Sequence, residues 1–84
     1  MITFTLYSRS YCHLCDDMLE QLRHSLTNPE QFAISVVDVD TDPLLLAQYD
    51  ELVPVLIGQK NVGPVQKICH YFLDKQALDA FLKA

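Results

Sequence analysis

Ile2, Phe4 and Leu6 are apolar and alternate with Thr3 and Thr5. A period of two in residues that favour extended backbone predicts a strand over this run. From Cys12 onward the period lengthens. Leu14, Met18, Leu22 and Leu26 recur at helical spacing with Cys15 and Leu19 beside them, which predicts an amphipathic helix from about Cys12 to Leu26. Ser10 is its expected N-cap and Asn28-Pro29 its expected stop. Asp16, Asp17 and Glu20 crowd its first turns, while Arg23 and His24 lie near its end, as the helix dipole favours. Phe32 to Val39 is apolar almost throughout, which predicts a second strand covered on both faces. Strand, helix and strand over this length form a unit whose strands should lie parallel, joined by a right-handed crossover.

The second half is shorter in its periods. Asp42 is an expected cap and Pro43 suits a first helical position, so a brief helix should run from Leu44 to Tyr49. Val53 to Ile57 reads as a third strand. Pro54 cannot donate to a ladder, so it belongs at an edge, at a strand start or in a cis turn. Gly58 to Pro64 is turn material, and Lys67 to Leu73 is a fourth strand of weaker alternation. Asp74 should cap a terminal helix whose apolar face is Leu78, Phe81 and Leu82. The order β-α-β-α-β-β-α describes an α/β fold in one domain spanning residues 1–84.

Composition narrows the function classes. The chain has 84 residues, half of them hydrophobic, and only two glycines, which fits one small packed domain. Its formal charge of −5 disfavours nucleic acid as a partner, because no basic patch is available to neutralise phosphates. No apolar run approaches the roughly 20 residues that span a bilayer, so no membrane partner is expected. Met1 to Phe4 shows neither the charged nor the long apolar region of a signal peptide. Three cysteines make an odd set, with Cys12 and Cys15 together and Cys69 apart. That fits a working thiol pair in a reducing cytosol better than a disulfide-stapled scaffold.

The chemistry concentrates in Tyr7-Ser8-Arg9-Ser10-Tyr11-Cys12-His13-Leu14-Cys15. Two cysteines at i and i+3 on a first helical turn can close a disulfide. The one at the helix start faces backbone N–H groups that favour a thiolate. Cys12 is therefore the expected nucleophile and Cys15 the resolving thiol. Arg9, three residues upstream, favours the thiolate, whereas Asp16 and Asp17 oppose it. A protonated His13 would also favour it, but a helix N-terminus disfavours a cation, so His13 reads equally as an exposed spacer. Tyr11 is an aromatic contact beside the site or a packing residue. Cys69 reads as a buried structural thiol, or as a second resolving thiol only if its strand lies near the site.

Layout and motif together resemble the thioredoxin fold and, within it, the glutaredoxins. The resemblance rests on Leu6-Tyr7-Ser8-Arg9 leading into Cys12-His13-Leu14-Cys15, on Asp38-Val39-Asp40, on Asp42-Pro43 with Tyr49, and on Val53-Pro54-Val55-Leu56. Cys-His-Leu-Cys differs from the usual glutaredoxin motif, which has Pro-Tyr between its cysteines, and is similar to that of a family of small glutaredoxin-like proteins. The resemblance implies a four-stranded mixed sheet in order 2-1-3-4 flanked by three helices. It implies Pro54 in cis facing the cysteine pair, and a Val53 backbone that binds an extended peptide or glutathione beside Cys12. Such a proline has no N–H to donate and presents its ring beside the thiols. Glutathione-dependent members carry a Gly-Gly pair and an acid before the last helix. Here Cys69-His70-Tyr71-Phe72-Leu73-Asp74 has no glycine, and Val62-Gly63-Pro64 is the nearest substitute. The departure counts against ordinary glutathione binding and leaves the dithiol chemistry intact.

The expected function is thus thiol–disulfide oxidoreduction on a disulfide-containing protein or a small thiol substrate. No bound cofactor is called for, and glutathione is the candidate reductant. The alternative is a binding module, either a redox-inactive domain of this fold or a structural zinc domain using Cys12, Cys15, Cys69 and His70. The adjacency of Cys69 and His70 does not suit paired zinc ligands.

Overall fold

The computed structural model describes residues 2–10, 12–26 and 29–83. Strand β1 (Ile2–Ser8) leads to helix α1 (His13–Ser25), strand β2 (Phe32–Asp38), helix α2 (Pro43–Tyr49), strands β3 (Val55–Lys60) and β4 (Val65–His70), and helix α3 (Lys75–Lys83). Single 3-10 turns precede β2 at Pro29–Gln31 and follow it at Val39–Thr41. The sheet order is β2-β1-β3-β4, as the resemblance implies. β1 is parallel to β2 and antiparallel to β3, and β4 is antiparallel to β3. No described helix is long and apolar enough to cross a membrane.

The alternation of β1 decides which helices cover which face. Phe4 and Leu6 point to one side and join Met18 and Leu22 of α1, Leu56 of β3, Cys69 of β4, and Leu78 and Phe81 of α3 in a single buried cluster. Tyr7 points to the other side, where its ring stacks on Tyr49 of α2 with centroids 4.5 Å apart. Two helices therefore cover one face and the seven-residue α2 covers only part of the other. Each fully buried Phe or Leu side chain contributes on the order of 1.5–3 kcal/mol.

Several local expectations need correction. The buried stripe of α1 is Cys15, Met18 and Leu22, and Leu14 is exposed. Cys15 takes the inward position because it lies three residues before Met18 and seven before Leu22, on the face that docks against Phe4 and Leu6. β2 is an edge strand with Ser35 and Val36 exposed, so its apolar run does not mark cover on both faces. Gly58 lies inside β3, and the turn that follows is confined to residues 61–64. β4 ends at His70, before Tyr71 and Phe72. Asn28 lies outside the described residues. Asp42 and Asp74 cap as expected, accepting from Leu44 N at 2.9 Å and from Ala77 N at 3.1 Å.

Gly58 is in β3 for a steric reason. It faces the helical layer opposite Phe4, and the Phe81 ring lies over it in an edge contact with Phe4 at 5.8 Å. A Cβ at residue 58 would stand 2.7 Å from Phe81 Cζ and 2.8 Å from Ile68 Cδ1. Alongside it the β3–β4 register slips between Leu56 and Ile57, pairing Leu56 with Cys69 and Ile57 with Lys67. The unpaired Ile68 is a bulge that lets consecutive residues, Ile68 and Cys69, both pack on the core. Burial pushes the Cys69 thiol above its ordinary value, outweighing a hydrogen bond from the Asp74 backbone.

Two outcomes follow from this packing. Gly58→Ala should destabilise the domain by about 1–3 kcal/mol, measured by urea unfolding, because a buried ring must move. The raised Cys69 thiol favours the neutral form in the folded state. Its stabilisation is complete below the ordinary thiol value of 9.0 and is lost as pH rises through the higher folded-state value. Stability against alkaline pH should therefore fall less steeply in Cys69→Ala than in the parent; equal slopes would remove Cys69 as a cause.

Candidate functional site

β1 is the central strand that delivers the site. Its last residue, Ser8, pairs with Asp38 at the end of β2, and Tyr7 pairs with Val55 at the start of β3. Val55 in turn faces His70 at the end of β4. One end of the sheet thus gathers the chain leaving β1, the turn after β2, the segment before β3 and the turn after β4. Cys12 enters at this end as the residue that starts α1.

Cys12 is itself the N-cap, in place of the expected Ser10. Its backbone is extended, at φ −103° and ψ 104°, and its Sγ accepts the Cys15 N–H at 3.2 Å. Its carbonyl accepts from Asp16 N at 3.2 Å. The sulfur occupies the position an oxygen takes in an ordinary cap, where the first backbone donors of the helix point. The Cys12 and Cys15 sulfurs stand at disulfide distance, with Cα atoms 5.2 Å apart. The pair is asymmetric: Cys12 is partly exposed, whereas Cys15 is 3% exposed. Of two linked sulfurs, only the outer one is open to a third.

The turn before Cys12 is clamped by carboxylates that the sequence reading did not assign. Arg9 Nε donates to Asp40 Oδ1 at 3.1 Å, and its Nη1 donates to Asp50 Oδ1 at 2.9 Å. Ser10 Oγ donates to Asp38 Oδ2 at 3.2 Å. Asp38 also organises its own turn, accepting Asp40 N at 2.9 Å through its side chain and Thr41 Oγ1 at 2.7 Å through its carbonyl. The Asp-Val-Asp-Thr run was a legible signal, since aspartate two residues before a free N–H is the mark of such a turn. Arg9 keeps its charge, its guanidinium pKa raised first by the hydrogen bond to Asp40. That charge is spent between two aspartates.

Pro54 is cis, as the resemblance implies, and buried. It precedes Val55 and so lies at the same sheet end as Cys12. The Val53 N–H is donated to Tyr49 O at 3.1 Å, closing α2. His13 is exposed on the first turn of α1. Tyr11 lies outside the described residues. The Val62-Gly63-Pro64 turn joins β3 to β4 at the far end of the sheet, so it is not beside the cysteines. Among the described residues no three His, Cys, Asp or Glu side chains gather as a metal site.

Tyr71 occupies the position next to Pro54 that sequence reasoning left unassigned. Its N–H donates to Pro54 O at 2.9 Å, and its hydroxyl reaches Glu51 O at 2.6 Å. Its φ is 65°, in the left-handed region that bulky residues rarely enter. Phe72 N donates to His70 O at 2.8 Å, closing a three-residue turn about Tyr71.

The comparisons agree with this geometry. Residues 3–83 match the glutaredoxin-like domain (DUF836). The solution structure of protein Ne2328 from Nitrosomonas europaea is similar at TM-score 0.77 and 32% identity, covering 95% of this chain and 89% of that one. The structure of XcR50 from X. campestris is similar at TM-score 0.67 and 32% identity, covering 95% of each chain. Oxidised mitochondrial thioredoxin 3 from Saccharomyces cerevisiae shares the fold at TM-score 0.70, with 18% identity over 98% of this chain and 76% of that one. No curated protein matches this chain. A thioredoxin-like sheet, a cysteine pair at the start of its first helix and a family match over nearly the whole chain lead to one conclusion: the chain belongs to the glutaredoxin-like domain family.

Proposed function

We propose that this protein is a thiol–disulfide oxidoreductase working through Cys12 and Cys15. The observation that carries the reading is the Cys15 N–H donated to Cys12 Sγ at a helix start, with Cys12 open and Cys15 buried. Kept when the pair is reduced, that hydrogen bond and the helix N-terminus would both favour the anionic form of the sulfur that meets the substrate.

In the reduced protein the Cys12 thiolate attacks one sulfur of a substrate disulfide. That bond breaks, a mixed disulfide forms, and the other substrate sulfur leaves as a thiolate that takes up a proton. Cys15, after losing its proton, attacks Cys12 Sγ and expels the second substrate thiol. Two electrons have then passed to the substrate, and the Cys12–Cys15 disulfide remains. A thiol reductant, with glutathione as the candidate, returns the pair to the dithiol. A reducing cytosol suits that cycle.

The surrounding residues take supporting parts. Arg9 and Ser10 hold the approach to Cys12 through Asp40, Asp50 and Asp38. His13 and Tyr11 flank the sulfur in the sequence. Val53 and Pro54 offer the backbone edge on which an extended partner would lie. Because Val53 N–H is given to Tyr49, such a partner must exchange that bond or use the Val53 carbonyl.

In the reduced protein, thiolate absorbance should rise with a midpoint below the roughly 8.5 of free cysteine, and Cys12→Ser should remove that step. Cys12→Ser should also abolish disulfide reduction, while Cys15→Ser should accumulate the mixed disulfide on Cys12, seen as added mass. An ordinary midpoint, or turnover that survives Cys12→Ser, would contradict the assignment.

A further inference from the structure

The sheet end that holds the cysteines carries an uneven charge. Asp16 and Asp17 follow the pair on α1, Asp38 ends β2 with Asp40 and Asp42 in the connection after it, and Asp50 and Glu51 follow α2. Within residues 9–17, 38–42 and 50–54 the one lysine or arginine is Arg9, and it lies between Asp40 and Asp50. Asp74 and Lys75, at the start of α3, offset each other in charge. Arg23 and Lys83 lie near the other ends of their helices, Lys60 ends β3 opposite Ile2, and Lys67 lies within β4, paired with Ile57 and three residues before that strand's end. The formal side-chain charge around Cys12 is therefore predominantly negative.

The same end presents apolar side chains. Leu14, between the two cysteines in sequence, is 40% exposed, Tyr71 is 39% exposed and Phe72 is 69% exposed. Phe72 is set outward by the turn about Tyr71, whose left-handed backbone is fixed by bonds to Pro54 O and Glu51 O. A bulky residue held at positive φ costs free energy that the surrounding structure must offset, and such positions cluster at ligand-contacting segments. Here the turn sits beside the proline that precedes β3, where an extended partner would pass.

We propose, resting on the oxidoreductase reading, that the Cys12–Cys15 site selects disulfides carried by cationic peptide segments with an apolar residue beside the cysteine, and disfavours anionic disulfides. The acidic rim attracts the positive charge, and Phe72 with Leu14 contacts the apolar side chain. An anionic disulfide such as that of glutathione meets repulsion before it meets Cys12. Reduction follows the two-electron exchange above, with the Cys12–Cys15 dithiol as the electron source.

The test uses the full chain, reduced beforehand and freed of reductant, in single turnover against dicationic cystamine or dianionic glutathione disulfide. At low salt the second-order rate constant should favour cystamine by about tenfold or more, and the ratio should shrink as salt shortens the range of the field. Neutralising the rim with Asp16→Asn/Asp17→Asn should lower the low-salt ratio; a ratio between substrates cancels any change in Cys12 reactivity common to both. With cationic disulfide peptides carrying Leu or Gly beside the cysteine, Phe72→Ser should lower the preference for Leu. A cystamine ratio independent of salt and of the aspartates overturns the charge selection, and an unchanged Leu preference in Phe72→Ser overturns the aromatic contact. If neither disulfide oxidises the pair, the oxidoreductase reading itself fails, an outcome distinct from loss of selectivity.

Discussion

The hydrogen bond from Cys15 N to Cys12 Sγ fixes where everything else must be. It makes the sulfur part of the start of α1, so sulfur reactivity and helix geometry cannot be set independently. The helix start must then be held at the C-terminal end of β1. Met18 and Leu22 bury against Phe4 and Leu6 to do so, and α3 completes that layer through Leu78 and Phe81. On the far face, Tyr49 stacks on Tyr7 and brings the end of α2 to the same sheet end. Arg9 and Ser10 tie the connecting turn to Asp38, Asp40 and Asp50. Two packed faces and one polar clamp place a single sulfur.

That arrangement changes the electrostatic account of the site. Sequence spacing makes Arg9 look like the cation that favours the thiolate. In the folded chain its guanidinium is occupied by Asp40 and Asp50, an exposed network worth little in stability but sufficient to balance its charge. Support for the thiolate then comes mainly from the backbone donors at the start of α1. Asp16 and Asp17 act against it from the same helix. On the proposed reading, reactivity at Cys12 is a balance between local amide dipoles and a broadly acidic rim, and the rim also selects what approaches.

Much of the architecture was legible because two periods carry it. The alternation of Ile2, Phe4 and Leu6 and the helical recurrence through Met18 and Leu22 each name an element and its buried face. Asp42 and Asp74 announce their helices because a cap depends on one local side chain. What was not legible depends on neighbours distant in sequence. Gly58 reads as a turn residue until Phe81 is seen to need its space. The weak alternation of β4 comes from the bulge at Ile68, which the register with β3 sets. Leu14 shares the helical spacing of the core residues, yet Cys15 takes the inward place. The cysteine pair and Pro54 were readable from motif, whereas the partners of Arg9 and the turn at Tyr71 required the fold.

The most direct measurement is an equilibrium redox titration of the full chain in glutathione buffers, with intact mass and peptide mapping at each point. The account predicts one two-electron transition in which the chain loses a pair of hydrogens, mapped to Cys12 and Cys15, while Cys69 stays reduced. A chain that stays a dithiol across the whole range, or that forms its disulfide through Cys69, would contradict it.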